Sequence, residues 1–295
     1  MNKILVAVLL VTTLACERSP YTGYKVVGDD VHLHLERIGD GEVLPADSDS
    51  VVLRLRMGYT GQELGGVYST ERSYAVAELR SGAFKPVLRR IHVGDSLSII
   101  APAVMWPWKT LLRDAELSPP DTGMVRMEVT MLGLSTPEDR RAAAERLKRN
   151  DPLAYEHRLI SAYLAGAGAE LQPWGTSLLH YHITGTAGDT GSIQLGDKVT
   201  VSYSGRRLED GSLFDDSARN GGPLSFTYGD KDQVINGIEV AITLLRKGQE
   251  GRFLFPSELA FGAKGIPGVL DPHMPVLYTV RLVGVERGSN AGSAR

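Results

Sequence analysis

The sequence contains a single cysteine, Cys16, among its 295 residues. One thiol cannot form an internal disulfide framework or a zinc site built on cysteine ligands. An excess of either charge is also missing, because 32 lysine and arginine residues stand against 35 aspartate and glutamate residues, for a formal net charge of −3. Such a balance provides no basic field for nucleic acid, so we expect no nucleic-acid partner.

Long apolar runs are absent too, apart from one short run at the amino terminus. Lys3 precedes the apolar residues 4–11, and small and apolar residues then lead to Ala15 and Cys16. This run is too short to span a membrane, and its flanks are typical of a secretory signal. The pattern resembles a bacterial lipoprotein signal, in which the cysteine is diacylated and becomes the first residue. An ordinary signal peptide with an incidental cysteine is the alternative.

What the sequence does contain is enough apolar material for two domains and a pattern that occurs twice. Hydrophobic residues make up 42% of the chain, and 33 glycines indicate many turns. The segment 32–35 (HLHL) recurs 148 residues later as 180–183 (HYHI), and the alternating segment 125–131 recurs 151 residues later as 276–282. Loop insertions between paired strands would produce this drift in spacing, which indicates an internal repeat; chance similarity of strand patterns is the alternative.

Two helices are predicted between the halves. Thr136-Pro137, followed by acidic residues, is typical of a helix start, and Asp151-Pro152 begins a second helix. The first of these helices is rich in charge and is predicted to be a solvated spacer.

The carboxy-terminal half predicts an α+β domain. Residues 196–285 contain short alternating strands and one segment with apolar residues at three- and four-residue spacing, from Ile235 to Leu245. A sheet with one buried face and one helix that covers it is an α+β arrangement.

This half resembles the FKBP-type peptidyl-prolyl cis–trans isomerases. The resemblance runs through 196–199 (GDKV), 208–215 (LEDGSLFD), 234–239 (VINGIE) and 266–268 (IPG), about 90 residues in one register. It implies a strongly bent antiparallel sheet wrapped around a short helix, with a peptide pocket between them. The first half keeps the strand pattern without the Phe-Asp pair of 214–215, and is interpreted as a degenerate copy used for binding or dimerisation.

The resemblance implies two sets of site residues. The catalytic set is Tyr203, Phe214, Asp215, Phe261 and Tyr278, and the substrate-binding set is Leu224, Phe226, Val234, Ile235 and Ile238. In this interpretation Phe214 and Tyr278 wall the pocket, Asp215 makes polar contacts with Tyr203, and the Ile235 N–H binds a substrate carbonyl. The sequence departs from the family at Ile238, Leu224 and Phe261, where tryptophan, phenylalanine and tyrosine are usual.

Each of two other features has a purely structural explanation as well as a functional one. Trp106-Pro107-Trp108 would bind unfolded segments if exposed, or would be part of the core and a turn. The histidine pairs 32/34 and 180/182 have a spacing that suits a metal, but no further ligand converges on them, so ordinary strand positions are favoured. No metal and no cofactor are predicted.

The predicted function is therefore a peptidyl-prolyl isomerase that assists protein folding in the bacterial cell envelope, anchored by lipid on the periplasmic side or at the outer membrane. Its partners would be proline-containing polypeptides, with a homodimer as a further possibility. The alternative is a non-catalytic peptide-binding chaperone or scaffold lipoprotein. The predicted organisation is a signal peptide (1–15), a tether (16–28), a degenerate FKBP-like domain (29–135), a helical spacer (136–168), an isomerase domain (169–288) and a flexible tail (289–295).

Overall fold

The computed structural model describes residues 18–59, 68–113, 121–188 and 191–288. The described residues fall into two compact units divided after Ala142, and each unit is built on an antiparallel sheet with few, mostly short helices. The predicted α+β class is therefore confirmed. The predicted signal peptide, Cys16 and the tail lie outside the described residues. Within those four segments, no helix combines the length and the apolar character needed to cross a membrane.

The first unit contains a six-stranded sheet with the spatial order β1-β2-β5-β6-β3-β4. Alternation explains its core, because every second residue of β6 from Val125 to Met131 is buried. The strands are β1 (Lys25–Gly28), β2 (Val31–Arg37), β3 (Ser50–Tyr59), β4 (Tyr68–Ala75), β5 (Ser96–Pro102) and β6 (Met124–Ser135); the single-turn helices are α1 (Val76–Leu79) and α2 (Trp108–Leu111).

The aromatic pair at 106 and 108 does not form an exposed surface. Trp106 is 4% exposed, its ring meets Phe84 edge-to-face at 5.6 Å, and its Nε1 donates to the Ala101 carbonyl. The half-buried Trp108 donates to the Ala103 carbonyl at 2.7 Å. The core explanation is thus correct for Trp106, and the capture of unfolded segments by this pair is not supported.

Both predicted intervening helices form, as α3 (Pro137–Asn150) and α4 (Pro152–Leu164). The Thr136 hydroxyl accepts from the Asp139 N–H at the start of α3, and the Asp151 carboxylate accepts from the Ala154 N–H at the start of α4. No α3 residue is fully buried, whereas α4 buries Tyr155, Glu156 and Ile160 within the second unit. The exact domain boundaries remain a prediction.

The second unit contains a seven-stranded sheet with the order β7-β8-β12-β13-β9-β10, in which β11 also pairs with β9. The apolar face of α5 packs against this sheet through Ile238, Ala241 and Ile242, and Gly237 lets the helix approach Phe255. The elements are β7 (Gln172–Pro173), β8 (His180–Thr184), β9 (Lys198–Arg207), β10 (Leu213–Asp216), β11 (Leu224–Thr227), α5 (Asn236–Leu244), β12 (Glu250–Phe255) and β13 (Val276–Glu286).

The two sheets repeat the same strand order in the same register. Leu53 pairs with Met131 in the first sheet, and Val201, 148 residues after Leu53, pairs with Leu282, 151 residues after Met131. In each sheet the register shifts between this pair and its neighbour, which is Val52–Gly133 in the first sheet and Thr200–Gly284 in the second. Because chance similarity of strand patterns would not reproduce both a register and a bulge, the structure supports the internal repeat.

A buried carboxylate fixes the entrance to β9. Asp197 accepts hydrogen bonds from the N–H groups of Gln194 (2.9 Å) and Gly288 (3.1 Å) and from the guanidinium of Arg287 (2.6 Å). Burial alone would raise the pKa of Asp197, but these donors outweigh it and hold the pKa below the ordinary value of 3.8.

Asp197→Asn should lower the free energy of unfolding of the second unit by about 1–3 kcal/mol near neutral pH, because an amide cannot accept all of these bonds. A group whose pKa is lowered in the folded state stabilises the fold above its ordinary pKa and loses that effect as the pH falls through the folded value. The difference between variant and wild type should therefore shrink below about pH 3.8.

Urea denaturation followed by amide exchange in β9 measures this. Asp230→Asn, which changes an exposed carboxylate in the same unit, is the control and should behave as wild type at every pH. A difference between Asp197→Asn and wild type that is the same at acid and neutral pH would contradict the assignment.

Candidate active site

Four aromatic side chains of the second unit form one continuous cluster. The Phe214 ring meets Tyr278 edge-to-face at 6.0 Å and Phe261 at 5.8 Å, and the Tyr203 ring lies 5.9 Å from Tyr278. Tyr203, Phe214 and Tyr278 come from β9, β10 and β13, and Phe261 comes from the loop after β12. Edge-to-face pairs at these distances are favourable for aromatic rings, so the cluster is a defined packing unit.

The five residues predicted to bind substrate belong to the same hydrophobic cluster as the aromatic rings. Phe226 and Ile238 are each 3% exposed, whereas Leu224, Val234 and Ile235 are half-buried. The structure therefore brings together all ten residues implied by the resemblance. Tyr278, Phe226 and Ile238 lie inside the cluster, and the others keep part of their surface accessible, as contact with a bound peptide requires.

Ile235 directly precedes α5 in extended conformation, and its carbonyl accepts from the Ile238 N–H at 3.0 Å. Among the described residues no acceptor is bound to the Ile235 N–H. This N–H therefore has no competing acceptor for the donor role that the family resemblance implies.

Asp215 is the polar centre of the aromatic cluster. Its Oδ2 accepts from the Tyr278 hydroxyl at 3.0 Å, and its Oδ1 accepts from the Asn220 side chain at 2.9 Å. Burial raises the pKa of Tyr278 well above its ordinary value, and the Asp215 carboxylate raises it further. Burial also raises the pKa of Tyr203, against a hydrogen bond with Asn220 that lowers it, and Asp215 adds to the increase. Both phenols therefore stay protonated as donors.

Part of this arrangement does not follow from the sequence. Tyr278 is predicted as a wall of the pocket, and its hydroxyl also binds Asp215. Asn220 is not predicted, because it is an exposed loop residue with no pattern around it. Ser217 is not predicted either; its Oγ accepts from the Tyr203 N–H at 3.0 Å and donates to the Tyr203 carbonyl at 3.1 Å. Ser217 is buried, and no pattern in the sequence indicates this burial.

Gly205 makes room for the Tyr278 ring. A Cβ at this position would lie 2.7 Å from Cζ and 2.9 Å from the hydroxyl of Tyr278. The corresponding position of the first sheet holds Met57, and Met127 stands where Tyr278 does; both methionines are buried. Aliphatic side chains thus fill the equivalent space in the first unit, in agreement with the missing Phe-Asp pair.

The paired histidines occupy ordinary positions on strands. His34 donates to the Gly23 carbonyl at 2.8 Å, and His180 donates to the Leu178 carbonyl at 3.0 Å. In the parts of the chain that the structure describes, no three His, Cys, Asp or Glu side chains are grouped as metal ligands.

Comparisons with known proteins agree on one family. Residues 190–283 match the family described as "FKBP-type peptidyl-prolyl cis-trans isomerase". The peptidyl-prolyl cis-trans isomerase Fkbp12 of Drosophila melanogaster is 38% identical over 91 residues, which cover 31% of this chain and 82% of the relative. The probable FKBP-type isomerase FkpA of Neisseria meningitidis is 38% identical over 113 residues, which cover 38% of this chain but 40% of that relative.

Among solved structures, the crystal structure of FkpA from Escherichia coli aligns with 28% identity and a TM-score of 0.40, covering 50% of this chain and 65% of that chain. The segment that matches the family, residues 190–283, lies within the second unit.

Gly205→Ala should displace the Tyr278 ring and weaken its hydrogen bond to Asp215, because the added methyl group overlaps the ring. We expect the free energy of unfolding to fall by about 1–3 kcal/mol, as for other overpacked sites. Gly284→Ala is a matched control in the same sheet, since its Cβ would meet Thr200 at an ordinary 3.7 Å. Urea denaturation with near-ultraviolet circular dichroism measures both; equal effects of the two substitutions would refute the packing argument.

Proposed function

This chain belongs to the family of FKBP-type peptidyl-prolyl cis–trans isomerases, and on that premise we propose that its second unit isomerises X–Pro bonds in polypeptide clients. The observation that carries the proposal is the aromatic cluster around Asp215, which unites all ten residues that the family resemblance implies.

The reaction requires rotation about an amide bond rather than the making or breaking of a covalent bond. The barrier is about 18–20 kcal/mol because resonance is lost in the twisted geometry. A water-poor aromatic site favours the twisted amide, which is less strongly solvated than the planar one, if it binds that state more tightly than the ground state. In the proposed site Phe214 and Tyr278 wall the proline ring, Val234 and Ile238 form its side and floor, and the Ile235 N–H holds a substrate carbonyl.

Asp215 acts in this proposal through orientation and not through proton transfer. Its two oxygens are bonded to Tyr278 and Asn220, so it fixes one wall of the pocket and the loop that follows β10. The chemistry therefore needs no titrating acid–base pair.

The three departures from the family favour a second candidate function, a module that binds prolyl segments without efficient turnover. Ile238 gives a smaller floor than the usual tryptophan, and Phe261 lacks the hydroxyl of the usual tyrosine. A missing hydrogen bond to substrate removes about 0.5–1.5 kcal/mol. Isomerisation remains the better-supported function because Phe214, Asp215 and Tyr278 form a complete hydrogen-bonded and packed group.

The isomerase proposal predicts that the full chain accelerates cis–trans exchange in a prolyl tetrapeptide, measured by exchange spectroscopy or a protease-coupled assay. Phe214→Ala should lower kcat/KM at least about tenfold, equivalent to ~1.4 kcal/mol in the barrier, because it removes one wall of the site. Val283→Ala, which trims an exposed side chain of β13, is the control and should retain full activity. No acceleration by wild type, with binding of the peptide retained, would favour the binding module instead.

We further propose that the chain is an envelope lipoprotein anchored through Cys16. The support is the amino-terminal pattern: Lys3, a short apolar run, and small residues directly before the single cysteine. Acyl chains hold a protein at a bilayer by about 0.8 kcal/mol per buried methylene group, so two or more chains give a stable anchor.

Cys16→Ser should abolish incorporation of radiolabelled palmitate and move the protein from the membrane fraction to the soluble fraction of a bacterial host. A conservative change after the cysteine, Glu17→Gln, is the control and should leave acylation intact. Wild-type protein that is cleaved but carries no lipid would show that the ordinary signal peptide is the correct alternative.

A further inference from the structure

Glu156 is a buried carboxylate on α4, 3% exposed, and it lies outside the segment that matches the family. Both of its oxygens are bound by one residue, Ser257. The Ser257 N–H donates to Oε1, and the Ser257 hydroxyl donates to Oε2 at 2.8 Å. A buried carboxylate is costly unless its oxygens accept hydrogen bonds, so this pairing fixes the position of Ser257 relative to α4.

Ser257 in turn fixes the two residues on either side of Phe261. Its carbonyl accepts from the N–H of Ala260 at 2.9 Å and from the N–H of Gly262 at 2.8 Å. Phe261 is therefore held between two anchored amides, with its ring 5.8 Å from Phe214. A continuous chain of hydrogen bonds runs from Glu156 through Ser257 to the backbone that carries a site residue.

The internal repeat provides a comparison within the same chain. Ala103 of the first unit corresponds to Ser257, since each residue follows a proline and opens a 3-10 turn after the equivalent strand. The Ala103 N–H is bound by the carbonyl of Gly123, in the same sheet unit, at 2.9 Å. In the second unit the acceptor of the equivalent Ser257 N–H is the side chain of Glu156, from helix α4. The unit that contains the aromatic site thus differs from its copy in how this turn is anchored.

We propose that Glu156 is a positioning residue that holds Phe261 against Phe214 in the peptide site. Without Glu156 the buried Ser257 N–H has no acceptor, which costs free energy and loosens the turn that ends at Gly262. The inference deepens the proposed isomerase function and rests on it for its effect on substrate, but the effect on the loop stands independently.

The test compares Glu156→Ala with Glu156→Gln in the full chain. A glutamine can accept from the Ser257 N–H and donate to its hydroxyl, so it should restore the anchor that alanine removes. Glu258→Ala removes an exposed carboxylate from the same turn and is the matched control. Should Glu156→Ala fail to fold, Ser257→Ala removes the hydroxyl bond alone and tests the same connection.

Hydrogen exchange of the amides of Ala260 and Gly262 is the first readout. We expect exchange to rise about tenfold in Glu156→Ala, and to stay within about twofold of wild type in Glu156→Gln and Glu258→Ala, with β13 unchanged throughout. Unchanged exchange of these two amides in Glu156→Ala would overturn the inference, as would an equal rise in Glu156→Gln.

Kinetics with a prolyl tetrapeptide are the second readout. Glu156→Ala should raise KM about threefold to tenfold with little change in kcat, because a displaced Phe261 weakens the hold on the peptide. If exchange rises while KM stays unchanged, Glu156 does not position the site and the inference fails. If wild type shows no isomerase activity, the proposed function fails, while the exchange result still decides whether Glu156 anchors the loop.

Discussion

The hydrogen bond between the Tyr278 hydroxyl and the Asp215 carboxylate is the interaction on which the site depends. It places a phenol among the aromatic rings of the second unit, where burial raises the pKa of Tyr278 and keeps it a donor. Phe214 can pack edge-to-face on this ring because the hydroxyl fixes the ring's position. Gly205 makes this position of the Tyr278 ring possible, since any Cβ at residue 205 would overlap the ring.

The two sheets show that this constraint, and not the scaffold, separates a site from a plain core. Gly94 and Gly248 donate to the carbonyls of Met131 and Leu282 at 2.7 and 2.8 Å. The turn that precedes β5 in the first unit is therefore bonded in the same way as the turn that precedes β12 in the second unit. The interior differs: Met57 occupies the place of Gly205. A sheet of this topology thus folds with either filling, and the exchange of a methionine for glycine opens space for an aromatic ring.

Local patterns are sufficient to predict alternating strands such as 125–131 and 276–282, the apolar face of α5 and the start of α3, because alternation, helical spacing and caps each act within a few residues. The ten residues of the candidate site follow from the family resemblance; nine of them lie in one hydrophobic cluster, and Asp215 is joined to it by its hydrogen bond to Tyr278. Asn220 and Glu156 could not be found in this way. Asn220 sits in a loop without periodicity, and Glu156 meets a partner 101 residues away, a contact that the folded chain alone creates. The sequence left two explanations open for Trp106, since an aromatic-proline cluster gives no local sign of whether it is buried, and the structure shows that it belongs to the core.

Two of the polar attachments of helix α4 reach segments that lead to the two apposed rings, Phe214 and Phe261. Glu156 binds the turn before Phe261, and the neighbouring Tyr155 donates to Glu209 at 2.6 Å, in the hairpin before Phe214. Burial and the Glu209 carboxylate raise the pKa of Tyr155 to about 12, so this donor also persists at physiological pH. Phe214 lies in β10 and Phe261 lies in the loop after β12. Their edge-to-face contact is maintained when both segments are fixed to the same helix, α4. The helix is therefore better understood as part of the framework of the site than as a connection that precedes it.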